Sequence, residues 1–333
     1  MPRIRITQPE PRGPATWQQV IVDRIRAGKL VPIVSGAAGD DLALGGHTAL
    51  AEAYAAYTRY PLHERGLAGM AQFKGITDDA IGDALALKED YVNFAKSRLL
   101  DVAETGGVGR EILDQIENQF DRLTFTDICT QLDYPVYGDE RSHPLLLLAN
   151  MNLPIYVTTG YHELLEAALI RAGKTPRSEF CRWHKEVEHH PSVFDGVYEP
   201  SAEHPLVYHL HGLDRIPDSL VLTEDDYLTF LVACSQNIGK TTDPVHGRVR
   251  QALCDSSLLL LGYELQGWDF RSLFWGTIVP RTRALTSVVS IQLEPGEIEK
   301  LYLHKYLAKS DCKVAWSGLR ETIQELDRAV HHA

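Results

Sequence analysis

The chain has 333 residues, 44% hydrophobic, 8% aromatic and 23% charged, with a formal net charge of −12. This is ordinary globular composition, long enough for one large α/β domain or two small ones. An acidic balance argues against a general grip on nucleic-acid backbone, which needs clustered Lys and Arg, and it disfavours anionic membrane surfaces. No apolar run reaches the roughly 18–20 residues of a membrane span. The five cysteines, Cys129, Cys181, Cys234, Cys254 and Cys312, form no C-x-x-C pair. Their odd count and low density point to a reducing, cytoplasmic setting rather than a disulfide framework. The start, MPRIRITQPEPRGPATW, is basic and Pro-rich without an apolar core. It is expected to be a flexible arm over 1–15 rather than a signal peptide.

Along the chain, Trp17 to Ala27 is predicted helical because Val20, Ile21 and Ile25 share a face. LVPIVSG, Leu30 to Gly36, is predicted as a buried strand running into the small-residue loop Ser35-Gly36-Ala37-Ala38-Gly39. From His47 to about Leu132 the pattern is helical nearly throughout. Past Pro144 short apolar runs alternate with helical ones. The runs IYVTT, LVYHLHG, SLVLT, SLLLLGY, VVSIQL and CKVAW are predicted strands. Continuous apolar strands separated by helices imply a parallel sheet covered on both faces. Thr223, with Asp226 three places on, has the pattern of a capping box opening a helix.

Several clusters invite a chemical reading. NIGKTT, Asn237 to Thr242, has the tail of a phosphate-binding loop, but Cys234 stands where its first glycine belongs, which favours a polar loop. His184, His189 and His190 lack metal-ligand spacing and suit a solvated surface; no metal site is expected. His209 and His211 share a strand face at period two, and His211 stands at the strand's carboxyl end before Gly212. It is either a general base or a histidine satisfied by backbone. Gly262 allows close approach of a ligand to backbone. Asp269 either caps the following helix or contacts a ligand. Gln292, first polar residue at a strand end, either bonds a ribose or water. PIYVTTGYHELLEAAL, Pro154 to Leu169, has the strand–turn–helix form in which open α/β folds hold ligands, with Gly160 in its turn.

The stretches LVPIVSGAAGDDL, YPLHERGLAGMAQF, YVTTGYHELLEAAL, LVYHLHG with PDSLVLTEDDYLTFL, LLLLGYELQGWDFRSLF and VSIQLEP stand in this order. Together they resemble the sirtuin-like family found in bacterial conflict and antiphage systems, over most of the chain. The resemblance implies an α/β fold: a Rossmann-like parallel sheet with helices on both faces and a helical insertion or small lobe. The domain would span 16–333 and the insertion about 47–143. It further implies NAD, or an ADP-ribose-like nucleotide, held at the strands' carboxyl ends. Loop 35–39, with Ser35, Gly36 and Ala37, would wrap the phosphates. Thr158, Thr159 and Gly160 would line the nicotinamide-ribose pocket, and His211 would match the catalytic histidine. Gly262 and Tyr263 would form the adenylate turn, Gln292 would take the ribose-contacting position, and Asp269 would lie nearby.

Relatives of this type usually carry T-T-N-Y-D, where the sequence here has Thr158-Thr159-Gly160-Tyr161-His162. The positioning Asn is absent, and His162 is the candidate replacement. Two functions follow. One is an NAD glycohydrolase acting as a defence effector; the other is a degraded module that senses NAD or ADP-ribose, or acts as a scaffold, without turnover. A protein deacylase is the weakest reading, since the zinc-binding Cys quartet of sirtuins of that type is missing. A homo-oligomer or a dedicated sensor protein is the expected partner, with no direct nucleic acid and no membrane.

Overall fold

A computed structural model describes residues 17–62, 66–134, 137, 143–264, 267–278, 289–294, 296, 300–302, 305 and 313–332. The arm predicted over 1–15, Leu265 and Gln266 of the G-Y-x-L-x-x-W-D-F turn, and Cys312 lie outside these residues.

Seven strands form one sheet: β1 (Leu30–Val34), β2 (Ile155–Thr158), β3 (Arg177–Phe180), β4 (Leu206–His209), β5 (Ser257–Leu261), β6 (Val289–Leu293) and β7 (Lys313–Trp316). The helices in chain order are α1 (Trp17–Arg26), α2 (Ala37–Ala43), α3 (His47–Thr58), α4 (Leu67–Thr77), α5 (Ala84–Thr105), α6 (Arg110–Glu117), α7 (Phe125–Gln131), α8 (Pro144–Ala149), α9 (Leu164–Arg171), α10 (Glu224–Gln236), α11 (Gly247–Asp255), α12 (Trp268–Leu273) and α13 (Leu319–His332). Among the described residues no helix is long and apolar enough to cross a membrane.

The strand order is β3-β4-β2-β1-β5-β6-β7, and every pairing is parallel. This is a Rossmann-like α/β sheet. From β1 the chain passes to β2 on one side; from β5 it passes to β6 on the other. That reversal opens a crevice at the strands' carboxyl ends, the place where such sheets bind ligands.

The apolar runs are continuous because both faces are covered. Ile33, Val157, Leu258 and Leu260 enter the cluster that holds Phe230 of α10, Val249 of α11 and Phe270 of α12. Their neighbours Val34, Tyr156, Leu259 and Leu261 enter the opposite cluster, with Ile21 of α1, Leu165 of α9 and Ile323 of α13. Helices α3 to α7 lie between β1 and β2 in the chain and build two further apolar clusters. One is centred on Leu99, Phe125 and Ile128, the other on Tyr54, Met70 and Tyr91. Leu222 joins the second cluster, so this helical lobe packs on the segment leading to α10.

The capping box at α10 forms as the sequence predicts: Thr223 Oγ1 accepts from Asp226 N, and the Asp226 carboxylate accepts from Thr223 N. Two strand expectations differ. SLVLT is not a strand: Pro217–Ser219 makes a single 3-10 turn, and Leu220 to Leu222 then run outside the sheet into α10, with Val221 N donating to His211 O at 3.0 Å. An apolar run needs a free sheet edge to pair with, and the edge beyond β4 is taken by RSEF, which is β3. RSEF lacks the apolar signal of the others because it carries two charges: Arg177 is exposed, and the buried Glu179 is paired with Arg182 at 2.8 Å. Finally, β4 ends at His209, and His211 stands in the turn that follows.

Candidate active site

The site is a cavity of about 170 Å³ at the crevice beside β1. Its floor comes from the turns after β1, β2 and β5: Ser35, Gly36 and Ala37; Thr159 and Gly160; and Gly262. Gly262 has φ of 74°, a left-handed conformation that glycine adopts without strain. A Cβ there would also stand 3.3 Å from that of Ala38. One wall is the segment Leu220 to Leu222 with Tyr227 of α10 and Trp268 of α12. The helical lobe supplies the opposite wall through Leu67, Ala68 and Tyr91. Asp40, His47, Glu264 and Asp269 complete the polar lining.

His211 lines this cavity and is buried. Its ring stands edge-on to Tyr227 and Phe230, with centroids 5.2 and 5.0 Å away. Burial pushes its pKa down to about 3, so the ring is neutral near pH 7. Ser272 Oγ lies 3.1 Å from the Asp269 carbonyl and 3.2 Å from His211 Nε2. When its one proton goes to the carbonyl, Oγ accepts from Nε2–H and Nδ1 is left as a lone pair. Nδ1 has no partner in the protein.

Beneath the floor lies a second histidine. His209 is fully buried, with Nδ1 2.7 Å from the Gly160 carbonyl and Nε2 2.8 Å from Glu166 Oε1. Both partners accept. Burial disfavours the charged ring, but the Glu166 carboxylate outweighs it and the His209 pKa is raised. Glu166 is pushed up by burial and down more strongly by His209, for a net lowering. The pair is an ion pair that grips the carbonyl of the floor glycine, and Ser178 Oγ lies 2.6 Å from Glu163 Oε1 and 2.8 Å from Glu166 Oε1.

Of the residues expected from sequence, Ser35, Gly36, Ala37, Thr159, Gly160, His211, Gly262 and Asp269 come together around the cavity. Thr158, His162, Tyr263 and Gln292 are not among its described lining residues. Thr158 Oγ1 donates to Val34 O and accepts from Gly160 N, stitching β2 to β1 below the floor. Tyr263 is buried, its hydroxyl 3.2 Å from Thr159 Oγ1. Gln292 spends its amide inside the sheet: Oε1 accepts from Gly262 N and Nε2 donates to Ser317 O. Both ends of the amide are thus tied within the protein.

His162 lies behind the loop, not in front of it. A Cβ on Gly39 would fall 2.3 Å from its Cε1, and its ring is 5.8 Å from that of Phe125. It packs behind the turns that carry Gly39 and Gly160 and is not among the described lining residues. Asp269 is not the cap of α12, which is Gly267. It sits in the first turn, accepting from Phe270 N and from Ser35 Oγ at 3.1 Å. Asp40, His47, Tyr91, Tyr227, Glu264 and Trp268 escaped sequence reasoning. Only the aromatic and acidic residues flanking predicted turns could have hinted at them.

Fold and crevice together define an α/β protein of Rossmann-like type with its site at the sheet's switch point. Residues 154–310 match the family model described as a SIR2-like domain, and the chain carries a SIR2-like domain. The matched segment includes Thr159, Gly160, His211, Gly262 and Asp269; the loop after β1 precedes it. No curated protein matches the chain. Among the described residues no group of three or more His, Cys, Asp or Glu is arranged to hold a metal ion.

A nicotinamide-ribose group suits the aromatic wall, the bare Nδ1 of His211 and the carboxylates. The pyrophosphate of NAD does not suit loop 35–39 as folded, because its amides are already engaged. Ser35 N donates to Leu261 O, Gly36 N to Thr159 Oγ1, Ala37 N to Ser35 Oγ, Ala38 N to Ser35 O and Gly39 N to Gly36 O.

Proposed function

We propose that this cavity binds NAD or a related nicotinamide-ribose compound, and that the chain hydrolyses the bond between nicotinamide and ribose. The SIR2-like match makes NAD the first ligand to consider. The observation that carries the hydrolytic reading is the state of His211. It is neutral, its Nε2 is bonded to Ser272 Oγ, and its Nδ1 stands unpartnered in a buried wall. Such a nitrogen can accept a hydrogen bond from a ribose hydroxyl or from an attacking water and orient it. Trp268 and Tyr227, stacked with centroids 6.2 Å apart, offer apolar surface that excludes water from the reacting bond. The expected setting is a cytoplasmic defence effector, held at low activity until a second copy or a sensor protein engages it.

A second reading is a nucleotide sensor without turnover. It is favoured by Gly160, which leaves no side chain beside the floor to orient a ribose hydroxyl or water. One assay separates the two: nicotinamide release from NAD by the purified chain, with His211→Ala as control. Release that disappears in the control supports hydrolysis. NAD binding with no release supports the sensor.

A further inference from the structure

We infer that His209 and Glu166 are positioning residues: together they turn the Gly160–Tyr161 peptide so that its N–H faces the cavity and supplies the donor that Gly160 has no side chain to provide. The inference rests on the proposed function and assigns it two residues that lie outside the cavity lining. β4 is buried along its whole length, yet it carries a histidine paired with a buried carboxylate. Apolar residues in place of such a pair are often neutral or stabilising, so stability alone does not account for it. Departures of this kind from an apolar core belong to functional sites.

His209 Nδ1–H donates to Gly160 O at 2.7 Å, and Nε2 stands 2.8 Å from Glu166 Oε1. The carbonyl of Gly160 is thus drawn down, beneath the floor. In a trans peptide the carbonyl and the next N–H point in opposite directions. The N–H of Tyr161 is therefore turned up, toward the cavity that Gly160 and Tyr161 both line. It has no acceptor among the described residues. Gly160 N, by contrast, is held by Thr158 Oγ1 at 2.9 Å. A charged donor on the carbonyl polarises the peptide and strengthens its N–H. An oxygen of water or of a ribose hydroxyl that accepts from this N–H can direct its own proton to His211 Nδ1, in the same cavity.

Two double variants of the full chain test this. His209→Leu with Glu166→Leu removes the grip and leaves no charge buried alone. His209→Asn with Glu166→Leu returns an uncharged amide donor near the place of Nδ1. Circular dichroism reports whether each folds. The leucine pair is expected to lower kcat for nicotinamide release at least tenfold, with KM for NAD within about threefold of wild type. The asparagine form is expected to recover kcat to within about threefold of wild type. Labelling with carbon-13 glycine and nitrogen-15 tyrosine isolates the two Gly–Tyr peptides of the sequence, Gly160–Tyr161 and Gly262–Tyr263, and Tyr161→Phe assigns the first. In NMR the Tyr161 amide is expected to shift when NAD is added to the wild type and to stay in place in the leucine pair. A folded leucine pair with wild-type kcat, or a Tyr161 amide that does not respond to bound NAD, overturns the inference and leaves the proposed function standing. Where the leucine pair does not fold, or NAD binds without release, the response of the wild-type Tyr161 amide decides. If the wild type neither binds nor cleaves NAD, the proposed function fails, and this inference with it.

Discussion

Gly36 and Gly160 face each other across the floor of the cavity. A Cβ built on Gly36 would stand 3.1 Å from the Cα of Gly160, and one built on Gly160 would stand 3.2 Å from the Cα of Gly36. The turns after β1 and β2 touch backbone to backbone, and this contact accounts for a glycine at each of the two positions. Neither residue has a positive φ, so the requirement is space and not backbone freedom. Gly160→Asn therefore does not simply restore an amide beside His211; it must first part the two turns. We expect it to destabilise the fold by about 1–3 kcal/mol, the usual cost of overpacking. Gly36→Val should cost at least as much and weaken ligand binding. Thermal melts and calorimetry on the two variants check this; an unchanged melting midpoint for both would refute the crowding.

Ser272 is a positioning residue for His211. Removing its hydroxyl leaves the buried Nε2–H without an acceptor and frees the ring to change tautomer. Ser272→Ala is expected to lower nicotinamide release about tenfold, the loss of roughly one hydrogen bond. A merely structural role would not move the ring's proton. Nitrogen-15 NMR of labelled histidine should show the Nε2–H form in the wild type and a mixture in the variant. The same pure tautomer in both would remove Ser272 from the mechanism.

The His209–Glu166 pair makes stability depend on pH. The folded pKa of His209 lies above its ordinary 6.5. Its contribution is complete below that value and is lost as pH rises through the raised one. The folded pKa of Glu166 lies below its ordinary 4.5. Its contribution is complete above that value and is lost as pH falls through the lowered one. The pair therefore stabilises most between about pH 4.5 and 6.5. Glu166→Gln should flatten this maximum in urea titrations run across pH. It should also cost about 3 kcal/mol, since it leaves His209 buried without its counter-ion. An unaltered pH profile would mean the pair is neutral in the folded protein.

Lys88 of α5 clips the helical lobe to the cavity wall. Its buried Nζ donates to the Asp218 carbonyl at 3.1 Å, lies 3.8 Å from Asp226 Oδ1 and sits 5.0 Å from the Trp183 ring centroid. Asp218 and Asp226 bracket Leu220 to Leu222. Lys88→Met keeps the apolar stem and removes the charge. We expect a loss of about 2 kcal/mol in stability, as for a hydrogen bond to a charged group. Ligand affinity should fall several-fold as the wall loosens. Tryptophan fluorescence melts and a binding isotherm measure both; full affinity in a destabilised variant would separate the clip from the site.

Much of this protein is determined locally. Continuous apolar runs such as LVPIV and SLLLL specify buried parallel strands, because each residue on either face meets a covering helix. Thr223 and Asp226 specify a helix start, because the capping bonds span only three residues. The order of strand–glycine–helix units specifies where a ligand site lies, and His211, Gly160, Ser35 and Asp269 were legible as its members. What each polar group does there was not legible, because its partner is remote in the chain. Ser35 meets Asp269, 234 positions away, and Gln292 meets Gly262, 30 away. Whether a side chain faces a ligand or knits the sheet is a matter of which partner arrives first, and only tertiary packing decides it. By that packing Gln292 and His162 stand outside the described lining of the cavity, Leu220 to Leu222 of the SLVLT segment form a wall, and the loop amides find partners within the protein.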